Sequence, residues 1–153
     1  MGYDRHEAMG IALLEARAAL DHGDVPVGAV VVDLITGDIL ARRHNEREKL
    51  NDPTAHAEVL ALRDAAVARG SWRLDRCALV VTLEPCPMCA GAAVSARVAE
   101  VVFGAPDPKA GALGTLYDLG DDDRLNHSFP TVGGIRADEA AAQLRAFFGE
   151  RRG

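Results

Sequence analysis

Apolar residues recur at helical spacing over the first 20 residues of the chain. Their i, i+3, i+4, i+7 pattern is typical of an amphipathic helix with one face turned to a core. Asp4 stands where an N-cap is expected and Gly23 where a helix commonly stops, so the pattern predicts a helix over 4–20. The residues that share the apolar face are Met9, Ala12, Leu13, Ala16, Ala19 and Leu20.

Beyond this helix, short β-rich runs alternate with further helical segments. The first two runs are separated by Thr36-Gly37, a turn signal that predicts an antiparallel hairpin. Thr54 is the expected N-cap of the second helix. The predicted strands cover residues 27–33, 38–42, 77–83 and 98–104. The later predicted helices cover 54–70, 87–96 and 137–148, with loops over 44–53 and 105–126. This alternation predicts an α/β fold with a mixed sheet, helices on its faces and one domain over 1–153.

Charge and cysteine content narrow the classes of function. The formal net charge of −6 at pH 7 is unusual for a protein that binds nucleic acid, because phosphate neutralisation usually requires a basic surface. The 3 cysteines are too few for a disulfide framework, which favours metal ligands, nucleophiles or core residues. No apolar run approaches the roughly 18 residues that cross a bilayer, and the chain starts without an apolar signal core. We therefore expect a cytoplasmic protein without membrane attachment.

Two short motifs, HAE (56–58) and PCPMC (85–89), carry the candidate chemistry. Two cysteines three residues apart at a helix start can place both thiols on one face, where unpaired N–H groups favour thiolate. One histidine and two thiolates supply three ligands, the number typical of catalytic zinc sites that leave a position for water. Glu58 is then the carboxylate that moves protons, and H-x-E with P-C-x-x-C is the signature of zinc deaminases. The predicted metal ligands are His56, Cys86 and Cys89.

Other interpretations of these residues remain open. The CxxC could be a redox pair, which leaves the HAE motif without a role. It could also be half of a zinc ribbon, but the third thiol, Cys77, stands alone in a buried-looking strand and is expected to be a core residue. His44 could be a fourth ligand or part of a pocket wall. We favour the wall, because His44 precedes Asn45 in a predicted loop.

Beyond these motifs, the chain resembles the bacterial tRNA-specific adenosine deaminases, which convert the wobble adenosine of an anticodon (position 34) to inosine. HAE and PCxxC occur in all zinc nucleoside and base deaminases, whereas DPTAHAE and TLEPCPMCAGA are more particular to this family. The resemblance covers nearly the whole chain in order. The matching stretches are DVPVGAVVV (24–32), NDPTAHAEVLALR (51–63), VTLEPCPMCAGA (81–92) and VVFGAPDPKAGALGTL (101–116), followed more weakly by LNH (125–127) and AFFGERR (146–152).

The resemblance implies a fold, a cofactor and a set of substrate contacts. The implied fold is a three-layer α/β/α sandwich with a five-stranded mixed sheet, of the cytidine deaminase type. The implied cofactor is Zn²⁺, one per subunit of a homodimer in which both subunits contact substrate. The implied partner is a tRNA anticodon loop, in the first instance that of an arginine tRNA with a wobble A. Glu58 takes the role of general acid and base. The positions that match substrate-binding residues of the family are Asn45, Pro26, Val27, Leu83, Asp107, Lys109, Asn126, Phe148 and Arg151.

Departures from the family pattern keep two rival functions open. Pro106 and Pro108 stand where members of the family carry Arg and Ala, which removes one basic contact to RNA. The acidic net charge favours a free-base or nucleotide deaminase of the cytosine or guanine type. The other rival is a non-catalytic, zinc-stabilised RNA-binding subunit. The intact Glu58 argues against that rival, because a structural zinc site has no use for a proton-shuttling carboxylate.

Overall fold

Five strands form one mixed sheet, flanked by helices. The structure is a computed structural model that describes residues 2–152 and the side chains of residues 2–149. The strands are β1 (Gly28–Asp33), β2 (Ile39–His44), β3 (Cys77–Leu83), β4 (Glu100–Ala105) and β5 (Thr131–Val132). The helices are α1 (Arg5–Ala18), α2 (Arg47–Leu50), α3 (Ala57–Arg69), α4 (Pro87–Ala96) and α5 (Ala137–Arg152). The strand order is β2-β1-β3-β4-β5, with β1 antiparallel to β2 and β3 and with β3, β4 and β5 parallel.

The sheet is covered on both faces, so the molecule has three layers. Alternate residues of a strand point to opposite faces, which divides the central valines between two apolar clusters. Val30 and Val32 of β1 pack against α1 and α5, while Val31 packs against α3 and α4. This arrangement confirms the α/β/α sandwich with a five-stranded mixed sheet. Among the described residues, no helix combines the length and apolar character that a membrane crossing would require.

Helix α1 lies unusually close to β1 at one glycine. A Cβ at Gly28 would come 2.0 Å from the carbonyl oxygen of Ala12 and 2.6 Å from the amide nitrogen of Ala16. Both atoms belong to the helix backbone, so no side-chain movement could relieve the contact. Only glycine permits this approach, which lets the backbone of α1 pack directly against β1.

The predicted loop over 44–53 is wrong in part. Strand β2 continues to His44, and the short helix α2 follows it. The predicted start of the next helix is also wrong, because α3 begins at Ala57 with His56 at the N-cap position. Thr54 is instead held by Asp52, whose carboxylate accepts hydrogen bonds from its backbone N–H and its hydroxyl. The strand β5, expected only from the resemblance, completes the sheet.

Candidate active site

Both motifs lie at the amino ends of helices. His56 occupies the N-cap of α3 with φ −76° and ψ 148°, and Cys86 occupies the N-cap of α4 with φ −75° and ψ 174°. This extended conformation directs each side chain past the helix end rather than along its side. Pro87 begins α4, a position where the missing N–H of proline costs no hydrogen bond. Two helix amino ends, each with partial positive charge, therefore favour thiolate at this place.

The distances among the three candidate ligands fit a tetrahedral metal. Nδ1 of His56 lies 3.7 Å from Sγ of Cys86 and 3.4 Å from Sγ of Cys89. With Zn–S of about 2.3 Å and Zn–N of about 2.0 Å, adjacent N and S ligands of a tetrahedral zinc stand about 3.5 Å apart. The three ligand atoms lie within 4.8 Å of one another, and no other such group of His, Cys, Asp or Glu occurs among the described residues. The three residues therefore fit Zn²⁺, with one coordination position left over.

Of these three ligands, Cys86 has the protonation state that a metal requires even before a metal binds. A hydrogen bond from Cys89, together with His56, lowers the pKa of the Cys86 thiol to about 4. The hydrogen bond to Cys86 raises the pKa of His56, and the pKa of Cys89 is raised because Cys89 donates to Cys86 and is buried. The group thus already contains one thiolate next to an imidazole. Loss of the remaining thiol proton completes the ligand set that zinc requires.

Glu58 lies in the first turn of α3, inside the pocket. Its side chain is only 4% exposed, and burial raises the pKa of its carboxyl to about 7. The nearby Cys86 thiolate raises this pKa further, whereas His56 opposes the shift. A carboxyl that titrates near neutrality can both accept and donate a proton at physiological pH.

A pocket of about 430 Å³ opens onto this group. Its wall includes His56, Glu58 and Cys86, so any molecule bound there contacts two of the candidate metal ligands and the Glu58 carboxyl. The other wall residues are Val25, Val27, Asn45, Arg47, Leu83, Glu84, Pro106, Asp107, Pro108, Lys109, Ala110, Leu144 and Phe148. The volume is within the range of small-molecule and cofactor sites.

Comparison with known proteins identifies the family. Residues 3–105 match the family described as the cytidine and deoxycytidylate deaminase zinc-binding region. The chain belongs to this family. It is 51% identical over 141 residues to the tRNA-specific adenosine deaminase of Bacillus subtilis (strain 168), covering 92% of this chain and 86% of that protein.

Two solved structures share the fold of this deaminase-family chain. One comes from studies of A-to-I editing by tRNA:A34 deaminases at the wobble position of transfer RNA. It has a TM-score of 0.86 and 40% identity, covering 90% of this chain and 99% of the other. The second is a guanine deaminase from Nitrosomonas europaea, with a TM-score of 0.81 and 26% identity, covering 96% of this chain and 86% of the other.

The structure brings most of the predicted substrate-binding residues of this deaminase to one pocket. Pro26 is an exception, because it is buried behind the wall while Val25 and Val27 on either side line it. Asn126 is exposed in the loop before β5 and does not line the pocket of its own chain. The side chain of Arg151 lies outside the described residues. The predicted residues that do line the pocket are Asn45, Val27, Leu83, Asp107, Lys109 and Phe148.

Both interpretations of His44, as a fourth metal ligand and as part of the pocket wall, are wrong. Among the described residues His44 belongs neither to the metal group nor to the pocket wall. Its ring stacks on His22 with centroids 5.2 Å apart, and its Nδ1 lies 2.9 Å from Oε1 of Glu15. As the last residue of β2, rather than a loop residue, His44 turns toward α1 and away from the metal.

Sequence reasoning missed Glu84. Glu84 is 2% exposed, and its carboxylate accepts hydrogen bonds from the backbone N–H groups of Asp107 (3.0 Å), Leu113 (3.0 Å) and Thr115 (3.1 Å), and from the Thr115 hydroxyl. These bonds hold the loop after β4 against the pocket. An acid between an apolar strand and PCxxC was the available signal for Glu84. The sequence offers Arg42, Arg43 and Arg47, near Asn45, as candidates for a local basic rim, and of these Arg47 lines the pocket.

Proposed function

We propose that this chain is a tRNA-specific adenosine deaminase that converts a wobble adenosine to inosine by zinc-dependent hydrolysis. The observation that carries the proposal is the buried Glu58 beside the His56, Cys86 and Cys89 group, at the floor of a pocket of about 430 Å³. The similarity to a tRNA-specific adenosine deaminase extends over 92% of the chain, so it reaches far beyond the two motifs.

Glu58 performs the proton transfers in the proposed reaction. His56, Cys86 and Cys89 would hold Zn²⁺, which when bound would lower the pKa of an attacking water to about 7. Glu58 accepts one proton of that water and delivers it to N1 of the purine as the water oxygen bonds to C6. The same carboxylate then takes the remaining proton from the new C6 hydroxyl and passes it to the amino group, so that the C6 carbonyl forms and ammonia departs.

Asn45 orients the base. Its Oδ1 accepts the N–H of Ala57 at 2.8 Å, so the acceptor half of the amide is already engaged. The amide NH₂ group is then left to donate to a purine ring nitrogen in the pocket. Because the same hydrogen bond caps α3 next to His56, base orientation and metal position are mechanically linked.

The substrate is an exposed nucleotide rather than one inside a duplex. A stacked adenine cannot reach a pocket floor, and splaying out a base costs a few kcal/mol, less in a loop. Phe148, 45% exposed at the pocket rim, offers an aromatic face to a neighbouring base. These features favour an anticodon loop, with an arginine tRNA carrying a wobble A as the first candidate.

The assembly proposed for this activity is a cytoplasmic homodimer of single-domain chains spanning 1–153, with one Zn²⁺ per subunit. A second subunit accounts for the position of Asn126, which lies outside the pocket of its own chain and could contact RNA bound to the partner. Pro26 contributes by shaping the wall from behind, between Val25 and Val27. Arg151 is assigned an RNA contact from the resemblance to the family alone, because its side chain lies outside the described residues.

The main rival is deamination of a free base, which the net charge of −6 and the similarity to a guanine deaminase favour. One experiment separates the two. Purified protein is incubated with an anticodon stem-loop carrying a wobble A, and in parallel with free guanine, cytosine and adenosine. We expect inosine in the stem-loop by mass spectrometry, and none with Glu58→Gln, which should still bind zinc.

Either of two results would contradict the proposal. Turnover of guanine or cytosine with none of the RNA would move the activity to a free base. Zinc bound stoichiometrically with no turnover of any of these substrates would support the non-catalytic RNA-binding subunit. Full activity in Glu58→Gln would remove that carboxylate from the mechanism while leaving the substrate assignment intact.

A further inference from the structure

Arg47 presents an unpaired guanidinium at the mouth of the reaction pocket. It is exposed on α2 and lines two adjoining cavities, the reaction pocket and a hollow of about 240 Å³ beside it. Within the part of the chain that the structure describes, no acceptor hydrogen-bonds to its guanidinium. Arg42 and Arg43, in the neighbouring strand, are by contrast bound to Glu15 and to Asp64. Arg47 is therefore available to a ligand where those two arginines are not.

The backbone of α2, the helix that carries Arg47, is held in place by Asp24. This carboxylate is 2% exposed, and it accepts the backbone N–H groups of Glu48 at 2.9 Å and Lys49 at 3.3 Å. Oδ2 of Asp24 also lies 2.6 Å from Nδ1 of His22. A four-residue helix has too few internal hydrogen bonds to hold itself, so these contacts fix its place.

The acids next to Arg47 do not neutralise it. Glu46 is buried and already bound to Arg43 at 3.0 Å, and His44 lies 3.6 Å from its other oxygen. Glu48 is exposed, but it borders only the outer hollow. The boundary between the two cavities thus presents a cation. A phosphate attached to a nucleoside in the reaction pocket would be expected at this boundary.

We propose that Arg47 binds the RNA phosphate that adjoins the reacting adenosine, and that Asp24 is the positioning residue that sets Arg47 there through α2. The proposal rests on the proposed function, since it requires an RNA strand in the pocket. Arginine suits this role because its planar fork binds phosphate oxygens in pairs. A local cation of this kind also explains how a chain with a net charge of −6 attracts RNA.

The test measures salt dependence. Each phosphate contact to a single strand contributes about 0.7 to the slope of log affinity against log salt concentration. We expect Arg47→Ala to lower the slope by about that amount and to raise KM for the stem-loop about ten-fold, with a smaller change in kcat. Arg47→Lys should retain most of the slope. Arg63→Ala, the same loss of charge at an exposed arginine of α3 outside the pocket, is the matched control.

Asp24 is tested against Arg47 in a double-mutant cycle. If Asp24 acts through Arg47, Asp24→Asn should raise KM alone but add little to it in the Arg47→Ala background. If the effects of the two substitutions on KM are additive, Asp24 does not act through Arg47. The same conclusion follows if Asp24→Asn lowers kcat and thermal stability equally without changing the salt slope of binding, and Asp24 is then a structural residue only. Zinc content should stay at the wild-type level in both variants.

The outcomes distinguish this proposal from the proposed function. Direct binding of the stem-loop, measured over the same salt series, gives the slope independently of turnover. If the wild type deaminates the stem-loop but Arg47→Ala keeps the wild-type slope and KM, the phosphate site is wrong and the function stands. If the wild type neither binds nor deaminates the stem-loop, both proposals fall together.

Discussion

At the residue scale, Cys86 and Cys77 show how position decides the role of a thiol. Cys86 lies at a helix amino end, where a hydrogen bond from Cys89 and the nearby His56 lower its pKa to about 4. Cys77 is fully buried in β3, and burial raises the pKa of its thiol. Thiolate is the species that binds metal, which suits Cys86 to be a ligand. Cys77 also lies outside the one group of His, Cys, Asp or Glu among the described residues that could hold a metal.

This contrast predicts the metal content of two variants. Cys86→Ala should lose bound zinc, because two ligands do not hold a catalytic zinc. Cys77→Ala should keep one zinc per chain while losing stability by about 1 kcal/mol through the cavity that it leaves. Elemental analysis after dialysis measures the zinc content per chain, and thermal unfolding measures the stability of each variant. Normal zinc content in Cys86→Ala would refute the ligand assignment.

At this scale the sequence predicted the position of some site residues but not of others, and the reason is physical. His56, Glu58, Cys86 and Cys89 were predictable because their chemistry depends on short spacings within single motifs. The role of His44 was not predictable, since it depends on which way the end of β2 faces.

At the element scale, the loop after β4 depends on one carboxylate. Glu84 accepts four hydrogen bonds from Asp107, Leu113 and Thr115, and these bonds lower the pKa of the Glu84 carboxyl. A carboxyl whose pKa is lowered by folding adds stability above its unfolded pKa of about 4.3. That stability is lost as the pH falls through the lower, folded value.

Glu84→Gln tests this dependence. All four partners are donors, so the amide NH₂ group of glutamine would face another N–H or O–H. We expect a loss of about 1–3 kcal/mol in unfolding free energy at pH 7, shrinking as the pH falls below about 4, together with a higher KM because Lys109 moves. Chemical denaturation at several pH values measures the first effect. Glu100→Gln, which breaks the ion pair with Arg5 away from the pocket, should leave KM unchanged.

The boundaries of α2 and α3 show what local patterns miss. Thr54 is a good N-cap by residue type, but α3 begins three residues later, where Asn45 from another element caps it. Helix α2 is too short to produce a periodic pattern, and it is held by Asp24 from a distant part of the chain. A contact between elements that are far apart in sequence cannot be predicted from the local residue pattern of either element.

At the scale of the whole molecule, a metal bound by this group would connect elements from both halves of the sequence. His56 lies at the start of α3 and the two cysteines at the start of α4, with β3 between them. An ion that binds the folded but not the unfolded chain stabilises it by about 2.7 kcal/mol at 100 times its Kd. The site should therefore contribute to stability as well as to catalysis.

Removal of the metal tests this link. A strong chelator should lower the Tm of the wild type by roughly 5–10 °C, and added zinc should restore it. Glu58→Gln should show the same drop, since Glu58 is not a ligand, whereas Cys86→Ala should show none. Differential scanning calorimetry distinguishes these cases, and an unchanged wild-type Tm would mean that the ligands are held by the protein alone.

The sequence by itself predicted the fold class, the order of the main strands and helices, and the grouping of His56, Cys86 and Cys89, with Glu58 as the proposed proton-transfer residue. These follow from periodicity and from short motifs, both of which depend on neighbours along the chain. The tertiary structure decided which residues surround the pocket and that Glu84 holds the loop after β4. It also decided that Asp24 holds α2 in place and that Arg47, without a hydrogen-bond acceptor among the described residues, lies at the mouth of the pocket. Each of these depends on the packing of elements distant in sequence, where burial and partner geometry, rather than residue type, set the role of a side chain.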